Sequence, residues 1–266
     1  MSAPVAIDGA AFDAAPLLPA LRAIAARAGD AILGVYHGDH GVRAKADASP
    51  LTIADELADR LIVSALRELT PEIPVVSEET VETSGPAAAG ARRFWLVDPL
   101  DGTKEFIKRN GEFTVNIALV EDGRPIAGIV HIPVLEELFA GAVGAGATLQ
   151  RKGGAPEPIH CRPTPPEGAV VMTSRSHADN AELDRFLEGK AVTERRIAGS
   201  ALKFCRVAEG VADLYPRFGP TSEWDTAAGQ AVVEAAGGRM TMLDGTPFRY
   251  GKAPGFLNPG FIVYGR

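Results

Sequence analysis

A layered α/β or α+β fold is predicted by three features of the chain. Amphipathic helical stretches and short apolar strands follow one another without strict βαβ alternation. Hairpin signals crowd the middle of the sequence. A proline-rich patch, Pro156 to Pro166, then divides the chain into a first part, 1–160, and a smaller second part, 161–266. At 266 residues it forms one large domain or two intimate halves, long enough to bury a substantial core.

Leu17 to Tyr36 reads as a helix, because Leu17, Leu21, Ile24, Ala28 and Ile32 recur at three- and four-residue steps. After a glycine- and histidine-rich break at Gly38–Gly41, a second helix spans about Thr52 to Leu69. Its apolar face is expected to be Ile53, Leu57, Leu61, Ala65 and Leu66, and Pro71 stops it. Val75–Ser77 and Phe94–Asp98 read as strands, with Thr83–Gly90 a mobile surface loop between them. Val115–Val120 and Ile126–Ile132 flank Asp122-Gly123, a strong hairpin signal. Leu138–Val143 and Ala147–Gln150 form another pair around Gly144-Ala145-Gly146, which lacks the G-x-G-x-x-G spacing of a dinucleotide loop. Beyond the proline patch, strands at Ala169–Thr173 and Gly238–Met242 bracket helices at Asn180–Leu187, about Leu202–Glu209, and Thr226–Ala236. Phe261–Tyr264 is the closing strand.

The formal net charge of −7 argues against a nucleic-acid polymer as partner, which calls for a basic footprint. A small anionic substrate is compatible with it, since bound divalent cations reverse the local field. Cys161 and Cys205 sit in neither CxxC nor Cys/His spacing, as expected in a reducing compartment. Asp8 and Asp13, with no basic n-region, give no signal peptide, and no apolar run nears the ~20 residues of a transmembrane segment. A soluble cytoplasmic protein is expected, with oligomeric state and peripheral association with the inner face of the membrane left open.

Four acidic segments carry candidate chemistry: Glu78 and Glu79 after one strand, Asp98 and Asp101 after the next, Asp225 before a helix, and Asp55 in a first helical turn. Each has a purely structural alternative. Asp225 suits an N-cap, Thr52 to Asp55 a capping box, Ser77-Glu78-Glu79 a solvated strand end, and Asp98 to Thr103 a tight turn with a threonine cap. Together they point elsewhere, because strand ends converge on one crevice in α/β folds. Carboxylates there suit Mg²⁺, and two such ions about 3.5–4 Å apart activate water and neutralise a leaving oxygen. Asp98, at its strand terminus, is the natural bridging ligand, and the five histidines show no paired zinc spacing. Free N–H groups after the second aspartate suit phosphate oxygens.

Asp98-Pro99-Leu100-Asp101-Gly102-Thr103, with the Ser-Glu-Glu upstream and Trp224-Asp225-Thr226-Ala227-Ala228-Gly229 downstream, resembles the inositol monophosphatase superfamily of Mg²⁺-dependent, lithium-sensitive phosphatases. Asp98–Leu119, Gly199–Cys205, Leu214–Pro220 and Phe256–Phe261 are similar to its 3′(2′),5′-bisphosphate nucleotidase branch. Lys104-Glu105, in place of the Thr-Asn usual in inositol monophosphatases, points the same way, whereas Ala201 stands where many of that branch carry serine. The resemblance spans almost the whole chain, from Asp47 to Phe261. It implies a layered αβαβα sandwich of the sugar-phosphatase type and two or three Mg²⁺ ions. Glu78, Asp98 and the Leu100 carbonyl would hold one ion, and Asp98, Asp101 and Asp225 a second. The Thr103 hydroxyl, oriented by Asp55, would polarise the attacking water, while backbone N–H groups of Gly102 and Thr103 hold the scissile phosphate. Glu78, Leu100, Asp101 and Asp225 would thus border the substrate, with His177, Ser200, Lys203 and Arg217 around the nucleotide. The reaction implied is removal of the 3′-phosphate of adenosine 3′,5′-bisphosphate to give AMP, extending to its sulfated precursor in sulfur assimilation. The alternatives are the same chemistry on inositol monophosphate or another sugar phosphate, and a non-catalytic nucleotide or metal sensor.

Overall fold

The computed structural model describes residues 12–38, 43–44, 50–88, 90–174, 180–252 and 255–266. Helix α1 (Leu18–Tyr36) buries Leu21, Ile24, Ala28 and Ile32, as their spacing predicts. Beyond a short pair, β1 (Arg43–Ala44) and β2 (Pro50–Leu51), helix α2 (Ile53–Leu69) packs on α1. Its expected apolar face is partly wrong: Ile53 and Leu57 remain 38% and 36% exposed. The buried stripe is Ala54, Ala58, Ile62 and Leu66, and Asp55 and Asp59 share it. Both carboxylates find hydrogen bonds inside, Asp59 from Ser77 Oγ at 2.5 Å, and this makes their burial tolerable.

The large sheet follows the chain: β3 (Val75–Ser77), β4 (Arg93–Asp101), β5 (Thr114–Glu121), β6 (Arg124–Ile132), β7 (Glu137–Ala142), β8 (Gly146–Arg151) and β9 (Glu157–Ile159). The β3–β4 pair is parallel and the rest an antiparallel meander. Asp122 and Gly123 turn the β5–β6 hairpin at φ of 49° and 72°, the conformation a two-residue turn needs to match strand twist. One expectation fails here, and one strand goes unforeseen. Helix α3 (Val81–Ala88) occupies most of the expected Thr83–Gly90 loop, because Val81 packs on the core and Ser84 Oγ donates to the Thr80 carbonyl at 2.8 Å. Strand β9 lies inside the proline patch, at the sheet edge where proline is tolerated. A short helix, α4 (Thr103–Ile107), follows β4 directly.

The second part of the chain supplies β10 (Ala169–Ser174), α5 (Asn180–Leu187), β11 (Val192–Ala198), α6 (Leu202–Ala208), β12 (Leu214–Arg217), β13 (Thr221–Ser222), α7 (Ala227–Ala235), β14 (Arg239–Met242), β15 (Leu257–Asn258) and β16 (Phe261–Tyr264). Five of these strands form a sheet ordered β11-β10-β12-β16-β14, and β13 pairs with β15 apart from it. The sequence reading contains neither β11 nor β12. Strand β11 is an exposed edge bearing Glu194, Arg195 and Arg196. Strand β12 is central yet holds Pro216; its ladder to β10 is limited to Val171↔Leu214, so Pro216 is paired on the β16 side alone.

Helices α1 and α2 cover one face of the large sheet, and α6 and α7 lie between it and the second sheet. Helix α5 is outermost, with Leu183 and Leu187 on Val171, Leu214 and Ile262. The five layers are the expected αβαβα sandwich. Close approach of α7 depends on Gly128, where a Cβ would stand 2.5 Å from the Ala228 carbonyl oxygen. Both cysteines are buried thiols, and among the described residues no helix is long and apolar enough to cross a membrane.

Candidate active site

Strands β3 and β4 run parallel with Ser77 opposite Val97, so Glu78, opening a 3₁₀ turn, emerges beside Asp98 at the carboxyl ends of both strands. Pairing of β4 with β5 holds at Asp98↔Asn116, breaks, and resumes at Asp101↔Thr114, with Pro99 and Leu100 in the irregularity. This break separates the two aspartates in depth. Asp101 lines an open cavity, its Oδ2 accepting from Asn116 Nδ2 at 3.3 Å. Asp98 and Leu100 are not among its lining; they are 1% and 2% exposed, and the Leu100 amide donates to Asp98 Oδ1 at 3.1 Å.

Gly102 follows at φ 93°, in the left-handed region that favours glycine, and precedes the first residue of α4. Thr103, at that first position, donates its hydroxyl to Asp55 Oδ1 at 3.2 Å. The other oxygen, Asp55 Oδ2, accepts from the Thr52 amide at 2.7 Å and the Thr52 hydroxyl at 2.5 Å. The capping box and the link to Thr103 therefore coexist, one on each carboxylate oxygen. At Asp225 the N-cap alternative is not realised. Helix α7 begins at Ala227 without a side-chain cap, and Asp225 Oδ2 accepts from the Ser222 amide at 2.8 Å.

Glu78, Asp101, Thr103 and Asp225 share a cavity of about 230 Å³ with Lys203 and Arg217; Gly102 and Ser200 also line it. His177 lies outside the described residues. Ser200, at φ 41°, turns its hydroxyl onto the Glu112 carbonyl at 2.9 Å. Lys203 Nζ donates to the carbonyls of Ala198 (3.3 Å) and Ser200 (2.5 Å). Arg217 is held by the carbonyls of Gly219 and Pro220, each at 3.2 Å. Burial pushes Asp101 up to about 6 against the pull of Lys203. Burial and then the charge of Asp101 raise Asp225 well above the usual carboxylate range. Lys203 is depressed by burial to about 8, with Asp101 opposing. Two buried, mutually repelling carboxyl groups call for cationic company. Among the described residues, however, no three His, Cys, Asp or Glu side chains converge as a metal-binding group.

Two contributors escape the sequence reading. Glu112 Oε2 accepts from the Gly199 amide at 2.8 Å, tying the second part of the chain to the loop beside Gly102. Tyr215 lines the cavity two residues before Arg217; strand alternation would have placed them on one face had β12 been recognised.

The model of the "Inositol monophosphatase family" matches residues 13–260. The chain belongs to the inositol monophosphatase family. It is 50% identical over 242 residues to the 3′(2′),5′-bisphosphate nucleotidase CysQ of Escherichia coli, covering 90% of this chain and 96% of that protein. The crystal structure of CysQ from Bacteroides thetaiotaomicron superposes with a TM-score of 0.80 at 39% identity, covering 95% and 99% of the two chains. An inositol monophosphatase from Anabaena gives a TM-score of 0.72 at 27% identity, with 94% and 89% covered. Family membership thus rests on both sequence and fold, and identity is higher to the two CysQ proteins than to this inositol monophosphatase.

Proposed function

We propose that this protein is a Mg²⁺-dependent phosphomonoesterase that removes the 3′-phosphate of adenosine 3′,5′-bisphosphate, giving AMP and phosphate. By the same chemistry it would convert the 3′-phosphorylated sulfonucleotide to its dephosphorylated form, serving sulfur assimilation. The observation that carries this reading is 50% identity to a bisphosphate nucleotidase along 96% of that protein's length. The cavity supports it by bringing Glu78, Asp101 and Asp225 together with Lys203 and Arg217.

The donor set fits magnesium. Mg²⁺ keeps several waters and takes one or two carboxylates plus substrate phosphate, so it needs no closed cluster of three protein ligands. Glu78, Asp98 and the Leu100 carbonyl would hold one ion, and Asp98, Asp101 and Asp225 another, with a third ion allowed by the family. When bound, the ions supply Lewis-acid charge at the phosphoryl oxygens and favour ionisation of water. Asp55, its orientation set by Thr52, takes the hydrogen of the Thr103 hydroxyl and leaves that oxygen to accept from an attacking water. Gly102 keeps the turn free of a side chain where the reacting phosphate approaches. The remaining work is positioning and electrostatic stabilisation, the usual demand of phosphoryl transfer.

Phosphate release from adenosine 3′,5′-bisphosphate and from inositol 1-phosphate, each with and without Mg²⁺, tests the reading. A clear Mg²⁺-dependent preference for the nucleotide is expected. Preference for the inositol ester would transfer the protein to the sugar-phosphate branch, and tight nucleotide binding without turnover would make it a sensor.

A further inference from the structure

Two buried tyrosines, Tyr250 and Tyr215, are treated differently by the fold. Tyr250 is buried and spends its hydroxyl on Gln230 Oε1 at 2.7 Å and Thr226 Oγ1 at 3.2 Å, as a buried phenol ordinarily does. Tyr215 has its ring fixed just as firmly. It stands edge-on to Phe204 and Phe261, with centroids 5.2 and 5.5 Å away, and Lys203 Nζ lies 5.3 Å from its centroid. Yet Tyr215 Oη makes no hydrogen bond to any described residue. Nor is it sealed away: the fully buried, unpartnered side-chain polar atoms among the described residues are Arg22 Nη1 and Thr241 Oγ1. A rigid, unspent hydroxyl therefore opens on the cavity that Tyr215 lines.

Its neighbours say what it meets. Tyr215 and Arg217 are two apart on β12 and so share a face of the strand. Lys203 and Arg217 are both largely buried and anchored on backbone carbonyls, and neither forms an ion pair with a described carboxylate. Asp101 and Asp225 line the same cavity, but two cations with no direct ion pair, beside a neutral donor, still suit a phosphate dianion.

Resting on the nucleotidase reading above, we propose that Tyr215 is a specificity-determining residue whose hydroxyl donates to the second, non-reacting phosphate of the substrate, between Lys203 and Arg217. The contact selects a bisphosphate over an ester carrying the reacting phosphate alone.

Tyr215→Phe is the test, since it keeps the packed ring and removes a group with no protein partner. The product AMP carries only the second phosphate, whereas inorganic phosphate probes the reacting position. The variant should raise KM for adenosine 3′,5′-bisphosphate and the inhibition constant of AMP together, by about tenfold, the scale for a hydrogen bond to a charged group. It should leave kcat and the inhibition constant of inorganic phosphate in place. Unchanged AMP inhibition would overturn the assignment, leaving packing as the tyrosine's role. A fall in kcat with weaker inhibition by inorganic phosphate would also overturn it, moving the hydroxyl to the reacting centre. Failure of the underlying reading is distinguishable, because the unmodified protein would then show no preference for the bisphosphate.

Discussion

The two walls of the cavity are assembled by different means. Asp98, Asp101, Gly102 and Thr103 fall within six residues at one strand end. Lys203, Tyr215, Arg217 and Asp225 come instead from α6, β12 and the segment before α7, separated by up to 22 residues and positioned by a different sheet. On the first wall a single strand, turn and helix set the geometry, and side-chain hydrogen bonds with Asn116 and Asp55 fix Asp101 and Thr103 on it. On the second, each side chain depends on how helices and strands pack, and Glu112 reaches across to fasten Gly199 and Ser200. On the proposed function, the reacting groups sit mainly on the local wall, Asp225 excepted, and substrate preference changes through packing on the other. The contrast predicts that lesions on the first wall, and at the proposed metal ligand Asp225, strike kcat, whereas lesions at Lys203, Tyr215 and Arg217 strike KM.

The largest effect is expected from Asp98→Asn. Removing the central buried carboxylate should lower kcat/KM by about 10³-fold, at least the scale of losing one preorganised electrostatic group. The loss should persist at high Mg²⁺. Turnover near that of the unmodified protein would break the assignment of the first wall. Thr103→Ala comes next, with kcat falling about 10²-fold through loss of the positioned hydroxyl while half-saturation by Mg²⁺ stays in place. An unchanged kcat would remove Thr103 from the chemistry and leave Asp55 as a helix cap.

The smallest effect is a pH dependence on the second wall. Lys203 is charged below about 8 and neutral above it. In the free enzyme kcat/KM should therefore decline as pH rises through that value, by up to about tenfold per pH unit, because a neutral amine no longer attracts substrate phosphate. The alkaline limb should be absent from kcat and flattened in Lys203→Met. A limb in kcat would place Lys203 with the reacting groups and erase the distinction between the walls.

How much of this can be read from residues alone follows the same division. Asp98 to Thr103 is legible because its parts are neighbours in the chain and each has a local conformational meaning: β-formers, a proline, then a glycine that must take positive φ. Helix α1 and the Asp122-Gly123 hairpin are legible for the same reason. The apolar face of α2 is misread because residue type suggests Ile53 and Leu57, whereas hydrogen bonds to Thr52 and Ser77 reward turning Asp55 and Asp59 inward. Strand β12 is hidden by Pro216, which a central strand accepts here because one side of its ladder is already open. With β12 unseen, Tyr215 goes unseen too.

The sequence by itself determines the layered fold class, most of its elements and the cluster of acidic residues at strand ends, since periodicity, turn chemistry and short motifs act over a few residues. Only the tertiary structure decides that Asp98 is buried outside the cavity lining while Asp101 faces it, that Asp55 serves its own helix and Thr103 at once, and that Tyr215 lines the cavity with a hydroxyl bonded to no described residue. Those outcomes depend on bulges, side-chain competition for hydrogen bonds and the meeting of two sheets, and no single segment contains all the partners that settle them.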